Sequence, residues 1–278
     1  MWWKLVLINF ICFLGTICSG QDLKQTFDLA EIQYRNNDLE HSKLLFQRVV
    51  YFDSLHLYKE SFERLAQIYF AQKEINTSLA FMFQYRNFYP SESEKWVDVS
   101  FEIINLQLAA GLDGEALAEL MQLKNIFISA EVIKKLNTYL AVAYFQNKDF
   151  KNSELYFKKI ITEDKQVQLS KIFKKATHLD QKFNPSKLQI FSLLLPGSGQ
   201  AYASYLKEGA NSVILVGAFL VLFVHTSRVY GLLDAFLSVY PWVSRYYMGG
   251  LKKVVVLANK RKEFKRNEYY HSILELLK

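Results

Sequence analysis

Between Gln21 and Pro185 the chain holds two glycines, Gly111 and Gly114, and before Pro185 a single proline, Pro90. A stretch of that length with so few breakers, and with apolar residues spaced by three and four, reads as helix throughout. The helices repeat. Leu29-Ala30, Tyr34, Asn37-Asp38-Leu39, Ser42, Phe46 and Val49 recur as Leu65-Ala66, Tyr69, Lys73-Glu74-Ile75, Ser78, Met82 and Tyr85. They recur again as Leu140-Ala141, Tyr144, Lys148-Asp149-Phe150, Ser153, Phe157 and Ile160, with a weaker copy from Ile103-Ile104 through Gly111, Asp113, Ala116, Leu120 and Leu123. The leading apolar positions 29, 65, 103 and 140 lie 36, 38 and 37 residues apart. One helix pair cannot bury its own apolar face, so a period of this size predicts neighbours that stack and share a core. Ala30, Ala66 and Ala141, facing Ser42, Ser78, Ala116 and Ser153, are the small residues that let paired helices approach closely.

This pattern resembles the tetratricopeptide repeat, a helix–turn–helix unit of about 34 residues. It departs from the family at the turn, where Asn37, Lys73 and Lys148 stand in place of the usual glycine. The extra residues in each unit are expected to lengthen the loops between repeats. The resemblance implies an all-α, tetratricopeptide-like solenoid over residues 22–180, about four helix pairs plus a terminal helix at 166–178. It further implies a concave groove lined by first helices. The family's groove positions fall here on Tyr34, Phe70, Leu108 and Phe145, and on Glu31, Gln67, Asn105 and Val142. Such a groove is aromatic with polar edges, and suits an extended or helical peptide.

Residues 186–278 differ in kind. They carry 12 Lys/Arg against 5 Asp/Glu, which accounts for the whole net charge of +7, whereas residues 1–185 are neutral. They are also the apolar part, which favours a membrane over nucleic acid as partner. Asn184-Pro185 marks the expected boundary. Residues 209–227 contain no Lys, Arg, Asp or Glu and match one membrane span in length. Val229–Val243 is apolar but contains Asp234 and Pro241, and Leu188–Tyr205 is interrupted by Pro196-Gly197-Ser198-Gly199-Gln200. Membrane helices are therefore expected over 186–250 and a basic amphipathic tail helix over 251–278. Excess Lys/Arg beside a span favours the cytoplasmic face, so three crossings are expected, with the tail on the opposite side from the repeats; a re-entrant Leu188–Tyr205 would leave two, with the tail on the repeats' side.

The run Pro196-Gly197-Ser198-Gly199-Gln200-Ala201-Tyr202, with Lys207-Glu208-Gly209 and Arg245-Tyr246-Tyr247-Met248-Gly249-Gly250 after it, resembles a module of small bacterial membrane domains. Relatives of that module accompany tetratricopeptide repeats, and some are joined to a membrane protein insertion factor. Pro196 removes a backbone donor, and Gly197 and Gly199 permit geometries closed to other residues. A break at membrane depth is tolerated only where protein or water satisfies the freed groups, a role open to the Gln200 amide. Asp234, the only acid of the second stretch, is a candidate functional residue because ionisable groups within membranes usually are.

Met1–Gly20 has a charged start, a short apolar run Leu5–Leu14 and small residues Cys18, Ser19 and Gly20, the pattern of a secretory signal cleaved after Gly20. Both cysteines, Cys12 and Cys18, lie in that segment. No phosphate loop, paired-histidine metal motif or nucleophile elbow occurs. The histidines His41, His56, His178, His225 and His271 are scattered one per element. Glu92, Glu94 and Asp98 cluster near Trp96 but read as a loop and helix start. The basic run Lys260–Arg266 beside a span reads as a flank for anionic lipid.

The resulting expectation is a non-enzymatic, membrane-anchored adaptor without metal or cofactor, at a bacterial inner membrane with its repeats outside the cytoplasm. Its partner is an envelope protein or peptide, its surroundings a bilayer, and nucleic acid is not expected. An accessory role in membrane protein insertion and a small transporter or channel are the alternatives.

Overall fold

A computed structural model of the chain describes residues 22–91, 93–126 and 129–277. The expected signal segment, Met1–Gly20, and Glu92 lie outside the described residues. Among those residues the regular structure is all helical. The chain divides into two compact units, one up to Asn147 and one from Lys148 onward.

The first unit contains α1 (Leu23–Arg35), α2 (Leu39–Phe52), α3 (Glu60–Ala71), α4 (Ile75–Asn87), α5 (Glu94–Ala109), α6 (Asp113–Lys124) and α7 (Ala130–Gln146). Each helix packs on the next one along the chain. The repeat positions form the core: Ala30, Leu65, Ala66, Ile103, Ile104, Ala116, Leu120, Leu140 and Ala141 are all fully buried. The buried serines also bond across each pair. Ser42 Oγ donates to the Ala30 carbonyl at 3.2 Å, and Ser78 Oγ to the Ala66 carbonyl at 2.7 Å. A serine thus combines close approach with a partner for its hydroxyl, which burial would otherwise make costly.

The turns within the pairs share one geometry. Asn37, Lys73 and Gly111 take positive φ values of 61°, 65° and 75°. The following amides, of Asp38, Glu74 and Leu112, each reach back to the carbonyl five residues earlier, at Gln33, Tyr69 and Gln107. This is a Schellman C-cap, whose left-handed residue is usually glycine. The α2–α3 connection is longer and is organised by the buried Asp53, whose carboxylate accepts from the amides of Leu57 (3.0 Å) and Tyr58 (2.6 Å).

The second unit contains α8 (Phe150–Lys158), α9 (Glu163–Thr177), α10 (Leu179–Lys182), α11 (Pro185–Leu194), α12 (Ser198–Tyr202), α13 (Leu206–Tyr230), α14 (Leu232–Ser238) and α15 (Tyr240–Leu276). Its spine is α15, 37 residues and about 55 Å long at 1.5 Å per residue, which packs against α9 to α14. Asn184 caps α11 by accepting from the amides of Ser186 and Lys187, with Pro185 at the first helical position. The unit boundary nevertheless lies upstream of Asn184-Pro185, because α15 folds back on α9 and α10 and draws them into its own unit. Nor does a break separate membrane helix from tail at residue 250, since α15 runs through it.

Among the described residues α13 alone is long and apolar enough to cross a membrane, and only Gly209 and Val216 of it are buried. The Leu188–Tyr205 stretch is divided into α11 and α12. The Val229–Val243 stretch is broken at Gly231, where φ is 105°, and again before α15. Phe219 of α13 stacks on Trp242 and Tyr246 of α15, and Ser212, nearer the start of α13, lies beside Gly250. The two helices are therefore antiparallel, so a chain that leaves along α13 returns along α15.

Contacts made by the far end of α15 join it to α9 and α10. Lys165 Nζ donates to the Leu276 carbonyl at 2.9 Å, and Lys262 Nζ pairs with Asp180 at 3.1 Å. The tail and α9–α10 thus lie side by side within this unit. The charge bias behind the expected crossings weighs flanking residues one by one and carries no information on which distant helix they pack against.

Candidate functional site

In the first unit the side chains singled out on α1 and α3 converge. Tyr34 Oη donates to Gln67 Oε1 at 2.9 Å, and Gln67 Nε2 donates to Glu63 Oε1 at 3.3 Å. The residue that joins them is Arg64. Its Nε donates to Glu31 at 2.7 Å, its Nη1 to Gln67 Oε1 at 3.1 Å, and its guanidinium lies 4.9 Å from the centre of the Tyr34 ring. Although burial acts to lower the Arg64 pKa, the hydrogen bond and charge of Glu31 leave it above its ordinary value. The sequence signal for Arg64 is its place three residues before Gln67, on the same helical face. On α5, burial and then the charge of Glu63 push the Glu102 carboxyl above the usual carboxylate range.

Phe70 and Leu108 are half-buried and Asn105 is exposed. Phe145 is only 3% exposed. Its assignment to a groove is overturned, because α7 buries Leu136, Leu140, Ala141, Ala143 and Phe145 around more than one face. A phenylalanine held that way cannot meet a partner without leaving its packing. The arrangement on α1 and α3 offers a ring, a guanidinium, an amide and two carboxylates on one face. It can recognise a polar and aromatic ligand, but presents no nucleophile paired with a base.

In the second unit the Pro-Gly-x-Gly-Gln run forms an elbow between α11 and α13. Leu195 is extended, as a residue before proline must usually be, and Gly197 has φ of 87°. Side chains at the glycines would collide with backbone. A Cβ on Gly197 would meet the Gly209 carbonyl, one on Gly199 would meet the Leu188 carbonyl and Ser192 Oγ, and one on Gly209 would lie 2.8 Å from the Gly197 oxygen. Gln200 is 1% exposed with both its amide heavy atoms bonded: Ser192 Oγ donates to its Oε1 at 2.9 Å, and its Nε2 donates to the Gly250 carbonyl at 3.0 Å. The Gly199 amide in turn donates to Ser192 Oγ at 3.0 Å. Pro196 is half-buried, whereas Tyr202 is exposed with its ring edge towards Phe183 and Phe191. The elbow residues thus lock three helices together. Asp234 stands apart from them, exposed on α14.

The basic run on α15 is partly engaged as well. Lys262 pairs with Asp180, and Lys265 with Glu268 at 2.7 Å. Among the described residues no cluster of three or more His, Cys, Asp or Glu could hold a metal ion. Comparison with known proteins finds no family model that matches this chain and no curated protein that matches it.

Proposed function

We propose that this chain is a non-enzymatic adaptor, in which stacked tetratricopeptide-like helix pairs bind a protein or peptide and α13 anchors them to a membrane. The observation that carries this reading is the Glu31–Arg64–Gln67–Tyr34 network across α1 and α3. It holds one ring and several hydrogen-bonding groups in fixed positions on a partly exposed face. Preorganised polar groups beside aromatic surface are what peptide recognition uses. The exposed apolar length of α13 supports the anchor. The signal pattern at Met1–Gly20 supports placement at a bacterial inner membrane with the helix pairs outside the cytoplasm.

A photo-crosslinking amino acid at the exposed Asn105 tests the binding face in full-length protein within cells. The expected result is a discrete crosslinked species, which a Tyr34→Ala, Gln67→Ala, Phe70→Ala variant loses while keeping its helical content. A species that persists unchanged in that folded variant would move the binding surface elsewhere. Release of the protein by carbonate washing would refute the anchor.

A further inference from the structure

A cavity of about 770 Å³ opens within the second unit between α9–α10 and α15. Lys171, Lys174, Lys175 and Lys182 line it from one side, and Arg261 and Lys265 from the other. Among the described residues no acidic side chain lines it. Lys265 is paired with Glu268, but among the described residues no carboxylate lies within ion-pair distance of Arg261 or of the four lysines on α9 and α10. Arg261 Nε is enclosed and has no hydrogen-bond partner. An unsatisfied charged donor inside a wall of like charge is costly, and an anion seated there would relieve both the repulsion and the missing bond. The size is that of a small-molecule site.

The cavity also has an apolar side, made by Leu179, Phe183 and Tyr202. Ser204 lies at its edge, two residues before α13 begins. We propose that this cavity binds a phosphate-bearing anion, and that its place at the foot of α13 favours an anionic lipid headgroup over free phosphate as the source. The guanidinium of Arg261 and the α9 lysines hold the phosphate oxygens, as such groups do elsewhere. The aromatic side receives the glycerol and the first methylenes. The choice of lipid as source rests on anchorage through α13; the phosphate chemistry does not.

The test uses full-length protein, delipidated in neutral detergent and titrated with short-chain phosphatidylglycerol, with phosphatidylcholine of the same chains, and with inorganic phosphate. Binding is read by native mass spectrometry and by melting temperature. Phosphatidylglycerol is expected to bind and raise the melting temperature, and phosphatidylcholine is not. A rise with inorganic phosphate alone would support the phosphate site and make free phosphate a sufficient source. Lys174→Gln with Lys175→Gln, both exposed on α9, should weaken binding by about tenfold or more, and Arg261→Gln should do the same. Lys252→Gln with Lys260→Gln removes the same charge outside the cavity and should leave binding unchanged. Equal losses in the two double variants, or no response to either phosphate source, would overturn the proposal. Because the phosphate titration needs no membrane, failure of the anchor in carbonate washing is read separately.

Discussion

Gln200 Nε2 donates to the carbonyl of Gly250 across 50 residues of sequence, at 3.0 Å, and so ties the elbow before α13 to the middle of α15. Its other amide atom accepts from Ser192. One buried side chain therefore satisfies groups from two further helices, and its loss strands both.

The elbow glycines should accordingly tolerate no side chain. Gly197→Ala and Gly199→Ala are expected to lower stability by about 2–4 kcal/mol, from backbone collision and, at Gly197, left-handed strain. Gly217→Ala and Gly249→Ala, which meet open space, should leave the melting temperature in detergent equal or higher. A Gly199→Ala protein that melts with the wild type would refute the interlock.

The turns of the helix pairs make the opposite prediction. Lys73 holds a left-handed conformation without glycine's freedom. Lys73→Gly should stabilise by roughly 0.5–1 kcal/mol, the strain removed less the added entropy of the unfolded chain. Asn37→Gly should gain less, since asparagine tolerates this region. Gly111→Ala, at φ of 75° in open space, should lose stability by strain alone. Chemical denaturation of the full-length protein measures all three.

The interior of the helix pairs is legible in the sequence because the repeat names it directly: Leu65, Ala66, Ile103, Leu140 and Ala141 are buried where the period puts them. The left-handed turns at Asn37 and Lys73 are flagged by the missing glycine. Phe145 escapes this kind of reading because a 3.6-residue period identifies one buried face and cannot tell when a helix is covered on a second. Arg64 stands in the sequence as an ordinary charge between Glu63 and a core leucine, and its meaning appears only once Glu31 faces it from α1. The packing of the tail is hidden for a related reason. Lys165 and Leu276 are 111 residues apart, and no local pattern announces their contact.

Stability should depend on pH through Glu102. Burial, and then the charge of Glu63, raise its carboxyl above the ordinary value. The folded state thus holds this proton more tightly than the unfolded chain does. The favourable contribution is present below the unfolded value, about pH 4, and is lost as pH rises through the folded one. Glu102→Gln should therefore raise the melting temperature at neutral pH, with a gain that shrinks towards pH 4. A gain that stays constant from pH 4 to neutral would show that the charge is not its source.

The tail and α9 should be reached from the same side of the membrane. Gln168→Cys and Lys260→Cys both place a thiol on an exposed position, one on α9 and one on α15. In sealed, oriented vesicles an impermeant maleimide should label both or neither. Labelling of one alone would show an odd number of crossings.

For the inheritance of this sequence, the packing around α12 means that drift there is not free to proceed one position at a time. A Cβ at Gly250 would lie 2.9 Å from Ser212 Oγ, and those at Gly197 and Gly209 would intrude on each other's carbonyls. A lineage can gain a methyl at 250 readily only after residue 212 has shrunk. Descendants should therefore show these positions either frozen together or exchanged in complementary pairs, while Gly217 and Gly249 on the same two helices wander independently.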